Sequence, residues 1–186
     1  MAIVNKNLIT KGLSGMLGGT LVFRSVGDKT VVATAPSTSK VPTVAQKNQR
    51  ERFQQAVLYA KSQMADPIIK AEYETHAKGS GAPNAYNIAV ADFFNAPDIT
   101  EIDLSKYLGK KGDTIRIRVT DDFKVESVSV EITNDKGTEK GNAVMQANKL
   151  DWLYTVIDDN TSTVGNKIVI KAYDMPGNET KEEQVL

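Results

Sequence analysis

Apolar side chains recur every third or fourth residue before Pro97 and every second residue after it. That change of period constrains the fold more than any other feature of the chain. Ile115, Ile117 and Val119 alternate with Arg116, Arg118 and Thr120. Val128, Val130 and Ile132 alternate with Ser129, Glu131 and Thr133, and Ile168, Ile170 and Ala172 with Val169, Lys171 and Tyr173. Trp152, Tyr154 and Val156 follow the same rule, Ala143–Ala147 reads as a short strand, and Glu179–Val185 reads as the last one. Short alternating strands joined by turns such as Asn134–Gly137 predict an antiparallel sandwich, each sheet with one dry face and one wet face.

Before Pro97 the pattern is helical. Thr43 and Gln46 have capping-box spacing, and Phe53, Ala56, Val57, Ala60 and Met64 form one stripe after them. Asp66-Pro67 starts a second helix, with Ile69, Tyr73 and Ala77 as its stripe and Gly79 as its stop. A third helix is predicted from about Pro83 to Asn95, with Tyr86, Ala89, Val90 and Phe93 on one side. Upstream, Thr20–Arg24 and Lys29–Thr34 flank Gly27-Asp28 and predict a hairpin whose buried face is Leu21, Phe23, Val31 and Ala33. Gly12, Gly15, Gly18 and Gly19 mark residues 1–19 as a glycine-rich arm. The expected fold class is therefore α+β in two domains. Residues 1–97 would form a β-hairpin with three short helices, and residues 98–186 an all-β sandwich.

The stretch from Gly112-Asp113 through VESVSVEI, the NDKG turn and WLYTV to AYDMPGN resembles bacterial immunoglobulin-like domains. The resemblance implies an immunoglobulin-like sandwich in the second half. It implies no reaction, because such modules serve as spacers, adhesion pieces and assembly pieces alike. The elements LGGTLVFR, GDKTVV, AQKNQRERFQQAV and AYNIAVADFF resemble an uncharacterised family of bacterial hypothetical proteins, which brings no functional residue with it.

Composition removes several function classes. The 186 residues contain no cysteine, which excludes disulfides, thiolate chemistry and Cys-ligated metal. Formal net charge is zero, so no global field draws the molecule to nucleic acid or membrane. No apolar run approaches the ~18 residues of a membrane span. MAIVNKNLITKGL lacks the apolar core of a signal peptide, so a soluble chain is expected, its compartment left open.

Chemistry-bearing residues are few. His76 is the single histidine and lies near the end of the second helix, where the helix dipole favours it. Asp121-Asp122, Asp158-Asp159-Asn160, Asp174 and Asn178 supply loop oxygens of the kind calcium takes, and the same residue types are ordinary turn formers. Lys40, Lys47, Arg50, Arg52 and Lys61 stand against Glu51 alone; with Lys47, Arg50 and Lys61 on one helix face, they are the candidate nucleic-acid contacts. GLSGMLGG lacks the Lys-Ser/Thr ending of a phosphate loop. No Gly-x-Ser-x-Gly elbow, HExxH helix or dinucleotide fingerprint appears. The expectation is a non-catalytic structural or interaction protein without a cofactor or small-molecule substrate, using a protein partner or self-association. A nucleic-acid-associated protein is the alternative.

Overall fold

The capping signals place the helices. In the computed structural model, which describes residues 2–4, 10, 12–26, 29–36, 41–80, 84–134, 137–160 and 162–186, helix α1 runs Val44–Ala65. Its capping box is closed in both directions: Gln46 N donates to Thr43 Oγ1 at 3.3 Å, and Thr43 N donates to Gln46 Oε1 at 3.0 Å. Helix α2 runs Pro67–Ser80, one residue past the predicted stop, and Asp66 Oδ1 accepts from Ile68 N at 2.8 Å. Helix α3 runs Ala85–Phe94, with Asn84 as its cap; Pro83 lies outside the described residues.

Helix α2 buries Tyr73 and Ala77 as predicted, with Ile69 packed beside them, whereas α1 and α3 depart from their predicted faces. On α1, Ala56 and Ala60 are buried, but Phe53 is half exposed and stacks on Phe94 with ring centroids 6.3 Å apart. On α3 the buried stripe is Ala85, Ile88, Ala89 and Asp92, rotated by one residue from the predicted one. Ala60, Tyr73, Ala77, Ala85, Ile88 and Ala89 form one small core, and Phe123 and Met175 pack against it from beyond Pro97.

Strands β5 (Asp98–Asp103), β6 (Thr114–Thr120), β7 (Val125–Asn134), β8 (Gly137–Asn142), β9 (Val144–Met145), β10 (Asp151–Thr155), β11 (Lys167–Asp174) and β12 (Glu179–Val185) make two antiparallel sheets. Their orders are β5-β6-β10-β9 and β12-β11-β7-β8. The inward rows of both sheets meet in a single core: Ile115, Ile117 and Val119 with Trp152 and Tyr154 from one, and Val128, Val130, Ile132, Ile168, Ile170 and Ala172 from the other. Burying these apolar rows is the main source of stability in this part of the chain. The outward row carries charge. Arg116 Nη2 meets Glu101 Oε1 at 2.6 Å, and Arg118 Nε meets Asp151 Oδ1 at 2.8 Å. The Arg118 guanidinium, then the Asn148 amide, holds the Asp151 carboxyl down to about 2.

A third sheet lies at the start of the chain: β1 (Ala2–Val4), β2 (Gly15–Leu17), β3 (Leu21–Val26) and β4 (Lys29–Thr34), in the order β1-β4-β3-β2. The predicted hairpin is therefore the centre of a four-stranded sheet, and residues 1–19 contribute two strands to it. Gly15 and Gly18 adopt positive φ at either end of β2, the backbone geometry that glycine tolerates. The Gly27-Asp28 turn and Asp135-Lys136 lie outside the described residues.

The chain is mixed α+β, as expected. Its compact units divide elsewhere than at Pro97: they are Met1–Lys47 and Asn48–Leu186. The boundary predicted between 97 and 98 instead lies inside the second unit. There Thr180 Oγ1 donates to the Pro97 carbonyl at 2.5 Å, and Lys124 Nζ pairs with Glu72 Oε2 at 3.1 Å. The change of period marks a change of secondary structure, and the packing runs straight across it.

Candidate functional site

The predicted basic residues separate. Lys40 lies outside the described residues. Lys47, Arg50 and Lys61 are exposed on α1 and form no ion pair among the described residues. Arg52 points elsewhere: its guanidinium carbon sits 5.3 Å from the Phe94 ring centroid, and Nη2 donates to the Phe94 carbonyl at 3.5 Å. Arg52 is thereby tied to α3 through a cation–π contact, and the remaining three make a sparse row.

The acidic loops separate too. Asp121 and Asp174 lie at one end of the two sheets, and Asp158, Asp159 and Asn160 at the other, beside the start of β6. Asp121 Oδ2 accepts from Phe123 N and Lys124 N, and Asp159 Oδ1 from Lys111 N. Asn160 N donates to the Gly109 carbonyl. These are turn-closing bonds. Among the described residues, no group of three or more His, Asp or Glu has the arrangement of a metal site.

One buried polar cluster was not foreseen. Asp92 sits on the inner face of α3 at 1 % exposure. Tyr73 Oη donates to its Oδ2 at 2.5 Å, and Tyr59 Oη lies 3.1 Å from Tyr73 Oη and 3.5 Å from the same carboxylate oxygen. The Tyr73 ring stacks on Phe123 with centroids 3.8 Å apart. Burial pushes the Asp92 carboxyl up to about 7; the tyrosine hydrogen bond opposes this, and the charges of Asp121 and Asp174 add to it. Burial likewise pushes the Tyr59 hydroxyl up to about 12 and drives Tyr73 far above the ordinary phenol range. Asp92 Oδ1 and Asp121 Oδ1 are buried without a hydrogen-bond partner among the described residues. Beside them Asn178 Nδ2 donates to the carbonyls of Asp92, Phe93 and Asn95, and to Asp174 Oδ2 at 2.7 Å. Every contact here joins α1, α2 and α3 to each other or to the ends of β6 and β11. His76 has a packing role as well, its ring edge-on to Phe123 at 5.5 Å.

The first unit offers a different surface. Pairing of Phe23 with Val32 and Leu21 with Thr34 puts Leu17, Leu21, Phe23 and Val32 on one face of the sheet. Met16, Val22, Val26, Val31 and Ala33 occupy the other. The predicted face of Leu21, Phe23, Val31 and Ala33 therefore mixes two sides, because a period of two had to be carried across the turn without its register. Both faces carry apolar side chains, beside Arg24 and Lys29 on one and Ser25, Thr30 and Thr34 on the other. Yet from Thr10 on, among the residues of this unit whose burial is described, no apolar side chain is buried, and Thr30 is the single buried one. Met16 and Val26 are each 61 % exposed and Leu17 is 62 % exposed.

No protein-family model matches the chain, and no curated protein does. Among solved structures, the crystal structure of an engineered protein matches at 20 % identity with a TM-score of 0.31. That match covers 41 % of this chain and 16 % of the engineered one, a likeness too slight to bear on fold or function. Among the described residues no helix is long and apolar enough to cross a membrane.

Proposed function

We propose that the chain is a non-catalytic structural or interaction protein, an assembly or adhesion module of a bacterial surface, phage-like or secretion structure. The observation that carries this reading is the four-stranded sheet with apolar side chains on both faces and no buried apolar side chain on β2, β3 or β4. Strands apolar on both sides belong to sheets covered on both sides. A sheet with little buried area gains little from folding alone, so a partner that covers it adds the missing burial.

The two sheets of the second unit support the immunoglobulin-like part of the reading. In that fold, strands A, B, E and D form one sheet and C, F and G the other. Taken as A to G with one extra strand after C, strands β5 to β12 give the orders A-B-E-D and G-F-C-C′. Such a sandwich holds a sheet edge outward for docking. The titratable groups of the helical cluster support a structural role: Tyr59 and Tyr73 bond to each other and to Asp92, and His76 packs on Phe123.

The test is a photo-crosslinking residue placed at Val26 in the cells that make the protein. A discrete adduct of higher mass, with protein as its second component, is the expected result. Recovery of the chain entirely without adducts would remove the reading.

Exposed Lys47, Arg50 and Lys61 favour a second reading, a nucleic-acid-associated protein. Binding to random duplex DNA at roughly 50 and 200 mM salt decides it, since phosphate contacts weaken steeply over that range. Absence of retention at the lower salt eliminates this alternative.

A further inference from the structure

We infer that the sheet face made by Met16, Val22, Val26 and Val31 docks on a second copy of this chain. The inference rests on the assembly reading and names its partner. Charge is the argument for the occupant. Residues 1–47 carry six Lys/Arg and one Asp, a net of +5. Residues 48–186 carry seventeen Lys/Arg and twenty-two Asp/Glu, a net of −5. The chain as a whole is neutral, so a second copy supplies the opposite charge in equal amount.

The two faces of the sheet are not equivalent. Arg24 pairs in register with Val31, and Lys29 with Val26, so both cations stand on the face of Met16, Val22 and Val26. Both are exposed. Leu17, Leu21, Phe23 and Val32 share the opposite face with Ser25, Thr30 and Thr34 and with no Lys or Arg. An apolar strip flanked by cations suits a partner with a surplus of carboxylates, and residues 48–186 of another copy carry that surplus. A basic strip does not pair with its own image, so it meets the acid-rich unit of the other copy; a reciprocal exchange closes a two-fold dimer, and a one-way repeat closes a ring or extends a filament.

Sedimentation of the purified full-length chain over roughly 1 to 100 µM, a range bracketing a micromolar interface, tests the proposal. Mass is expected to rise with concentration at low salt, and the rise to shrink near 1 M salt, where the screening length falls to about 3 Å. Val26→Glu should weaken association about 10- to 100-fold, the worth of one buried apolar side chain. Arg24→Glu with Lys29→Glu should weaken it about 5-fold or more; both side chains are exposed, so the sheet survives the change. Leu17→Glu, equally exposed but on the other face, should leave it within about 2-fold. A strict monomer over the whole range overturns the proposal, and so does association unmoved by the Val26 and Arg24/Lys29 variants or lost equally with Leu17→Glu. If a monomer nevertheless forms the cellular adduct with a different protein, the self-association falls and the assembly reading stands. If it forms no adduct, both fall.

Discussion

Tyr73 Oη donates to Asp92 Oδ2 at 2.5 Å, a bond from the middle of α2 to a carboxylate at 1 % exposure on α3. Tyr73→Phe keeps the stack on Phe123 and removes this donor. The change should destabilise the protein by about 1–3 kcal/mol, the cost of a buried acceptor left short of a partner. Thermal or urea unfolding measures it, and an unchanged midpoint would show that the bond contributes nothing.

Two carboxylates should respond to pH in opposite senses. Asp92 is held up to about 7 in the folded chain, against an ordinary value near 4. The fold binds its proton more tightly than the unfolded chain does. The stability this adds is complete below about pH 4 and is lost as pH rises through 7, a swing on the order of 4 kcal/mol at most. Asp92→Asn should erase that slope, so the variant gains on the parent between pH 4 and pH 8. Asp151 is held down to about 2 by Arg118, so its contribution is present above pH 4 and is lost as pH falls through 2. Asp151→Asn should flatten the acid limb alone. Urea midpoints across pH for the parent and both variants check the signs, and parallel curves would contradict them.

Trp152→Ala should cost about 3–5 kcal/mol, because the ring fills the core shared by the two sheets and its loss leaves a cavity. A loss well under 1 kcal/mol would mean that the sheets do not close on that ring.

Gly109 and Gly112 both have positive φ but different surroundings. A Cβ on Gly109 would stand 2.6 Å from the Asn160 carbonyl oxygen, whereas one on Gly112 would meet nothing within 4 Å. Gly112→Ala should cost roughly 1–2 kcal/mol, the strain of a left-handed alanine. Gly109→Ala should cost more, since backbone must also move. Equal unfolding midpoints for the two variants would show that the loop gives way freely.

Local signals were legible where one residue type had one job. Thr43 and Gln46 announced the start of α1, Asp66-Pro67 that of α2, and the alternation of Val128–Ile132 and Ile168–Ala172 named the core rows correctly. The edge strands β9 and β12 were read, but β1, β2, β5 and β8 escaped notice. β8 reads Gly-Thr-Glu-Lys-Gly-Asn, and an edge strand with little apolar burial leaves little pattern in its residues. β2 is short and set among glycines needed for its turns. Asp92 was hidden for another reason. An acid in a helical stripe reads as surface, and its burial depends on Tyr59 and Tyr73, which lie 33 and 19 residues away. The boundary expected at Pro97 failed likewise, because Phe123 and Met175 reach back to the helical core from the far half of the chain.

The side-chain amide of Asn178 reaches the carbonyls of Asp92, Phe93 and Asn95, which lie 83 to 86 positions earlier. The helices thus share a clasp with the last turn of the sandwich, a turn the chain completes only near its end. Anything that emerges in order from its first residue to its last must hold α3 unlatched until that turn arrives. A version beginning at Asp98 would be born with Phe123 bare and the clasp closing on nothing.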